Sequence, residues 1–348
     1  MLNLNKKACT MKNLYYTVEK KEKIVVKIKS YPILYKYQTI NDYSKKALLN
    51  SEIWGTVPTA FNDPYDSVLC YTKSKIEKAI IDRMSKERYN NYSKLYNTNS
   101  KKDIIKNIEK GILENYNNNF RNNYCVACVS EIVDSEIMWG HYANNARGFA
   151  LAYEGKDLQD LANQHLHKCY ELIKLNNIFN FNFADMPKEK AKLAPVLYLQ
   201  GKRNCDQELI SNLNNLLLYY DRLCSGINIF EAVKELFENS IRAYYKEPSY
   251  ENNLIDSAIF NKAKHWSYEK EWRLWSYNTN IFESQAYSPH VLLGAGLRPK
   301  AIYLGEFISQ FDEIAIREIA KNKLFVPLYK MRTAVYKNRC KLKAIRIS

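Results

Sequence analysis

Two short stretches hold most of the side chains that could do chemistry. In HWSYEKEWRLWS (265–276), Glu269, Glu271 and Arg273 stand two residues apart among tryptophans. Side chains two apart on a strand share one face. Three charges on one strand face are costly to bury unpaired. That face is therefore solvated, internally paired, or the lining of a cleft. Paired, it is a salt-bridged ladder; in a cleft, its carboxylates are placed to work on a substrate. Trp272 alternates to the opposite face, where it anchors the strand in the core.

In MWGHYANNARGFALAYE (138–154), His141 and Tyr142 precede a glycine-bearing strand. A neutral histidine can hold a ribose hydroxyl or move a proton. A tyrosine can stack on a planar ring while its hydroxyl finds a polar partner. Gly148 permits close backbone approach. The plainer reading is a half-buried His–Tyr pair satisfied by backbone. In TAFNDPYDS (59–67), Phe61 is followed by Asn62, Asp63 and Asp66. Asn and Asp there either bond their own backbone in a Pro-braced turn or present polar groups at a pocket rim.

Eight cysteines in 348 residues are too sparse for a disulfide framework. Cys125 and Cys128 form a CxxC, but a zinc site needs further ligands, His141 is the nearby one, and no second CxxC follows. Alternating positions of a buried strand account for the pair, so no metal is expected. The absence of a Gly-rich phosphate fingerprint argues against Rossmann or P-loop nucleotide binding.

The elements that must position these residues follow from periodicity. KIVVKI (23–28), ILYKY (33–37), EIWGT, YCVACVS, ARGFALAYE, APVLYLQ (194–200), EWRLWSY, HVLLGA, KAIYLGE, LFVPLYK, TAVYK and KLKAIRI read as strands. NDYSKKALLN, a short run around MWGHY, 156–174, 206–220, 228–246 and 310–321 read as helices, and 73–118 as two more. This predicts one α+β domain over 1–348, with a mixed or antiparallel sheet and helical insertions at about 73–120 and 202–263.

Apolar residues make up 46%, enough for a real core, and the formal charge is +15. Such a balance permits contact with nucleic acid or another polyanion without establishing it. No apolar run has membrane-spanning length, and the N-terminus has no apolar core of signal-peptide length. A cytoplasmic protein with no membrane contact is expected. The sequence does not fix the oligomeric state.

LYKYQTI (34–40), WGTVPTAFNDPYDS (54–67), IMWGHYANNARGFALAYE (137–154), HWSYEKEWRLW (265–275) and IYLGE (302–306) together resemble a bacterial family known as domain of unknown function 2971. The order of elements, ending in a late strand with E-x-E, is also similar to that of ADP-ribosyltransferases. That resemblance implies a split β-barrel around NAD, an effector or toxin used in defence or attack, and a nucleic acid or protein as acceptor. It implies Glu271 as the late glutamate, Glu269 as the residue two before it, Tyr142 as a stacking aromatic, and Lys36 where the family usually has His or Arg. His141 joins Glu271 and Glu269 as a catalytic candidate. Lys36, Tyr37, Phe61, Asn62, Asp63, Tyr142, Trp266 and Arg273 are the candidates for holding NAD. A carboxylate beside a ribose stabilises the positive charge that builds as a glycosidic bond breaks. Two other readings stand beside this one. The first is a nuclease or nucleic-acid-binding effector using Asp63, Asp66, His141 and Glu271; the second is a non-catalytic interaction module.

Overall fold

The computed structural model describes residues 14–19, 23–28, 30–114, 121–175, 192–200, 204–226, 258–281, 288–336 and 339–348. Fourteen strands lie along them: β1 Leu14–Glu19, β2 Lys23–Ile28, β3 Ile33–Gln38, β4 Ile53–Thr56, β5 Tyr124–Ser130, β6 Phe149–Glu154, β7 Lys192–Pro195, β8 Leu197–Leu199, β9 Asn261–Ala263, β10 Glu271–Tyr277, β11 His290–Gly294, β12 Ala301–Leu304, β13 Leu328–Tyr336 and β14 Arg339–Arg346. The helices among the same residues are α1 Asp42–Leu49, α2 Lys73–Asp82, α3 Lys86–Leu95, α4 Lys101–Glu114, the single turn α5 Arg121–Asn123, α6 Glu136–Tyr142, α7 Gly155–Leu175, α8 Asp206–Cys224 and α9 Gln310–Glu318.

The main sheet runs β11-β4-β5-β3-β6-β12-β13-β14, with β10 attached to β5 and β7 to β10. Pairing is antiparallel except between β12 and β13. The fold is α+β with a mixed sheet, as expected. The sheet is not a closed barrel, because its path ends in β11 and β14, which do not pair with each other. β10 occupies one edge of β5 along its whole length. The other edge is shared: β3 meets it at Tyr35–Ser130 and β4 at Thr56–Val126. Two strands entering from opposite ends of one edge must diverge, so the sheet opens beside Cys128.

Several boundaries differ from the sequence reading. APVLYLQ is two strands, because Pro195 lacks the N–H that would extend the ladder on β10. Val196 makes one last bond to Glu271 O, and β8 then pairs in parallel with β9. LFVPLYK and TAVYK are one strand that starts after Pro327. The described part of the 73–118 segment, 73–114, carries three helices where two were expected, and α9 passes into a π-helical turn at Ile319–Leu324. The helix expected at 228–246 lies outside the described residues. α2, α3 and α8 are joined by Arg88 on Asp221 (2.9 Å) and Arg83 on Asn214 (2.9 Å).

β10 is the spine of the core. Trp272, Leu274 and Ser276 face α7, and His165 of α7 meets the Ser276 hydroxyl at 2.8 Å. The fully buried Trp272 donates from Nε1 to Glu131 (2.6 Å) and tilts against Tyr31. Trp272→Ala is expected to lower stability by about 3–5 kcal/mol through the cavity it leaves. Urea unfolding measures this, and a loss below about 1 kcal/mol would mean that the site collapses around the gap.

Candidate functional site

The opposite face of β10 carries Glu271, Arg273 and Trp275. Arg273 is fully buried and spends all five of its N–H donors. Nη1 and Nη2 grip Asp66 side-on at 2.8 and 2.6 Å, and Nε and Nη2 grip Glu271 at 2.8 and 3.1 Å. The remaining Nη1 donor goes to the Ile259 carbonyl. The Phe61 ring lies 5.6 Å from the guanidinium carbon.

Lys262 is the second buried cation. Its ammonium donates to Glu269 at 2.7 Å, reaches Glu271 at 3.4 Å and Asp66 at 3.7 Å, and sits 4.6 Å from the centre of the Trp266 ring. Register places it there: β8 and β9 pair Tyr198 with Lys262, while the Tyr198 hydroxyl accepts the Glu271 N–H at 2.8 Å. Burial alone would lower the Lys262 pKa, but the surrounding carboxylates raise it to about 12.

Asp66 is delivered by the turn that the sequence suggested. Asp63 Oδ1 accepts from the Tyr65 N–H (2.8 Å) and Asn62 Oδ1 from the Asp63 N–H (3.1 Å). Asn62 and Asp63 therefore hold the turn and Asp66 points inward, where Ser67 also donates to it. Burial works against the Asp66 charge, yet Arg273 and Lys262 bring its pKa down to about 2.

Glu269 is not on the strand. It closes a short 3-10 segment, Lys264–Glu269, and Lys270 adopts a left-handed backbone (φ 45°) before β10 begins. It still reaches the cluster. Tyr142 donates to Glu269 Oε1 at 2.5 Å, and Lys262 holds Oε2. Burial, then repulsion from Glu271, raises the Glu269 pKa to about 7. Glu271, equally deep, is pulled below its ordinary value by Arg273 and Lys262 against the burial cost. Two carboxylates two residues apart are thus held in different protonation regimes by their surroundings.

α6 ends where three successive left-handed residues, Asn144, Asn145 and Ala146 (φ 49°, 54° and 59°), turn the chain into β6. Gly148 closes that turn: a Cβ there would lie 2.1 Å from Gln38 O, so only glycine fits. The turn sets Tyr142 over Glu269 and leaves His141 exposed, its Nδ1 3.1 Å from the Tyr268 hydroxyl. Rings of Trp266 and Tyr268 (6.0 Å) and of His265 and Trp266 (5.5 Å) complete an aromatic rim.

The structure thus gathers Phe61, Asn62, Tyr142, Trp266, Glu269, Glu271 and Arg273 around one buried charge cluster, with His141 at the rim. Asp63 supports it through the turn. Lys36 and Tyr37 are placed elsewhere. The Tyr37 hydroxyl donates to Ile132 O (2.8 Å) and its ring packs on Trp139. Lys36 alternates to the other face of β3; burial lowers its pKa, and it lies within electrostatic range of Cys128 where the sheet opens. Cys125 is buried and Cys128 exposed, and three residues apart on a strand they face opposite ways. No group of three or more His, Cys, Asp or Glu side chains among the described residues could hold a metal. In particular, Asp66 and Glu271 are both committed to Arg273. Sequence reasoning missed Lys262, which stands in AIFNKAK (258–264), and gave Asp66 too small a part.

Residues 138–274 match the family described as Protein of unknown function (DUF2971). The family resemblance read from the sequence is shown over that stretch, which runs from α6 through most of β10. It contains His141, Tyr142, Lys262, Trp266, Glu269, Glu271 and Arg273; Phe61 and Asp66 enter the cluster from outside it. No curated protein and no solved structure matches the chain. Among the described residues, no helix is long and apolar enough to cross a membrane.

Proposed function

We propose that the chain is a group-transfer enzyme of the ADP-ribosyltransferase kind, cleaving the nicotinamide–ribose bond of NAD as a bacterial effector. The observation that carries this reading is the divided pair of glutamates: Glu271 held ionised by Arg273 and Lys262, and Glu269 raised to about 7 beside Tyr142. The chemistry needs both states. Nicotinamide leaves as a neutral molecule, taking the electron pair of the glycosidic bond, so its departure requires no acid. Positive charge develops on the ribose, and a fixed carboxylate such as Glu271 stabilises it. The acceptor oxygen or nitrogen then donates a lone pair to the ribose carbon and loses a proton. A carboxylate titrating near 7 is suited to take it, and the Tyr142 hydroxyl is bonded to Glu269. The rim of Trp266, Tyr268 and His141 offers faces against which a planar heterocycle can stack.

Incubating the purified protein with NAD and following free nicotinamide by chromatography tests the reading, with labelled NAD reporting transfer to added protein or RNA. Nicotinamide release by the wild-type protein supports it. A folded wild type that neither binds NAD in a calorimeter nor releases nicotinamide overturns it.

A further inference from the structure

A second feature lies on the opposite face of the sheet. The last thirty residues, IAKNKLFVPLYKMRTAVYKNRCKLKAIRIS (319–348), contain nine Lys or Arg and no Asp or Glu, against a net charge of +15 for the whole chain. Nine of the fifteen net charges lie in this stretch; the other six lie in residues 1–30, and residues 31–318 balance. Lys321 and Lys323 lie in the π-helical turn, and Lys330, Arg332, Arg339, Lys341, Lys343 and Arg346 lie on β13 and β14 at the end of the sheet.

Register decides where the charges point. Arg332 pairs directly with Lys343, and Ala334 with Lys341. Arg332, Lys341 and Lys343 thus share one face, and all three are exposed. Following the pairing from Glu271 and Ser130 through Tyr35, β6 and Tyr303 to Tyr329 puts the Glu271 cluster on the other face. Lys330, on the basic face, turns back onto Glu313 at 2.5 Å, but no salt bridge reaches Arg332, Lys341 or Lys343 among the described residues. The carboxylate that senses Arg332 is Glu306, and it is bonded to the Thr333 N–H and hydroxyl.

Like charges directly opposite on paired strands are destabilising. Here the side chains lie about 5 Å apart across the hairpin and about 7 Å apart along it, well inside the screening distance of physiological salt. An arrangement that costs stability alone is relieved when a polyanion neutralises it. Among the described residues no strand pairs with the outer edge of β14, whose N–H groups can donate to phosphate oxygens.

We infer that the exposed face of the β13–β14 hairpin is a docking surface for the phosphodiester backbone of nucleic acid, with Arg332, Lys341 and Lys343 as its phosphate contacts. Recognition is by charge along the strand pair and is independent of base sequence. The inference does not depend on the NAD reading, since the two features use different faces and share no residue.

The test is binding of fluorescent single- and double-stranded oligonucleotides to the full chain from about 50 to 200 mM salt. The wild type should bind with an affinity that falls steeply with salt. R332Q/K341Q/K343Q should bind at least tenfold more weakly at low salt, with the slope of log affinity against log salt reduced by about two to three. It should melt at or above the wild-type temperature, because the repulsion is gone. K101Q/K102Q/K106Q, which removes three exposed lysines of α4 and the same net charge, should keep the wild-type slope. Three results overturn the proposal. One is no binding by the wild type at 50 mM salt. Another is a hairpin variant with unchanged affinity and slope, or an α4 variant that loses as much. The third is retention on phosphatidylserine vesicles without oligonucleotide binding, which would make the surface a membrane contact.

Discussion

Arg273→Ala is expected to be the most destabilising single substitution in the cluster, costing about 3–5 kcal/mol. The side chain itself is not what makes the loss large. Arg273 neutralises Asp66 and Glu271 while bonding both carboxylates and the Ile259 carbonyl. Without it, two buried carboxylates share the single ammonium of Lys262, which already holds Glu269. Arg273→Lys should recover little of the loss, since one ammonium cannot grip two carboxylates side-on. Arg273→Met combined with Asp66→Leu should recover more, because it removes a charge of each sign together. Denaturant unfolding of the four proteins measures these differences. A loss below about 1 kcal/mol in Arg273→Ala would mean that water enters and solvates the carboxylates, and the cluster would then not hold the fold together.

The parts of this site visible in the sequence are those with a local signature. Alternation placed Glu271 and Arg273 on one face of β10 and Trp272 on the other. The turn chemistry of Asn62 and Asp63 and the need for glycine at 148 were legible for the same reason. The choice between ladder and working site resolved into both: the charges are internally paired, and the pairing is what separates the two glutamates. The partners were not legible. Asp66 meets Arg273 across 207 positions of chain, and nothing in NDPYDS distinguishes an aspartate that caps a turn from one that enters the core. Lys262 owes its place to the β8–β9 pairing and to Pro195, which ends β7 and sends the chain to β9. Glu269 reaches the cluster only through the left-handed Lys270, so strict alternation gave a sound conclusion from a strand that begins two residues later. The basic hairpin was missed because charge was weighed over the whole chain rather than along it.

Glu269→Gln is expected to keep the fold and remove activity, and it also carries a signature in stability. The Glu269 carboxyl titrates near 7 in the fold against 4.5 when free, so the folded protein holds this proton more tightly than the unfolded chain. The resulting stabilisation is fully present below pH 4.5, shrinks as pH rises through 7, and is absent above it. Glutamine mimics the protonated acid and cannot ionise, so this slope should vanish in the variant. Buried His165, lowered to about 4 by burial, contributes in the opposite sense, its stabilisation being lost as pH falls from 6.5 towards 4. Asp66, at about 2, acts only in stronger acid. Both are common to the two proteins, so the quantity to measure is the difference in unfolding free energy between wild type and Glu269→Gln from pH 5 to 8. It should shift steadily in favour of the variant up to about pH 7 and then level off. A base that cannot accept a proton should lower kcat for ADP-ribosyl transfer to the acceptor by about 10²–10⁴-fold with little change in KM. A flat difference across this pH range would mean that Glu269 is ionised throughout, paired to Lys262 like an ordinary salt bridge. An undiminished kcat would remove Glu269 from the reaction even if the stability signature held, because the two measurements read the same proton through different equilibria.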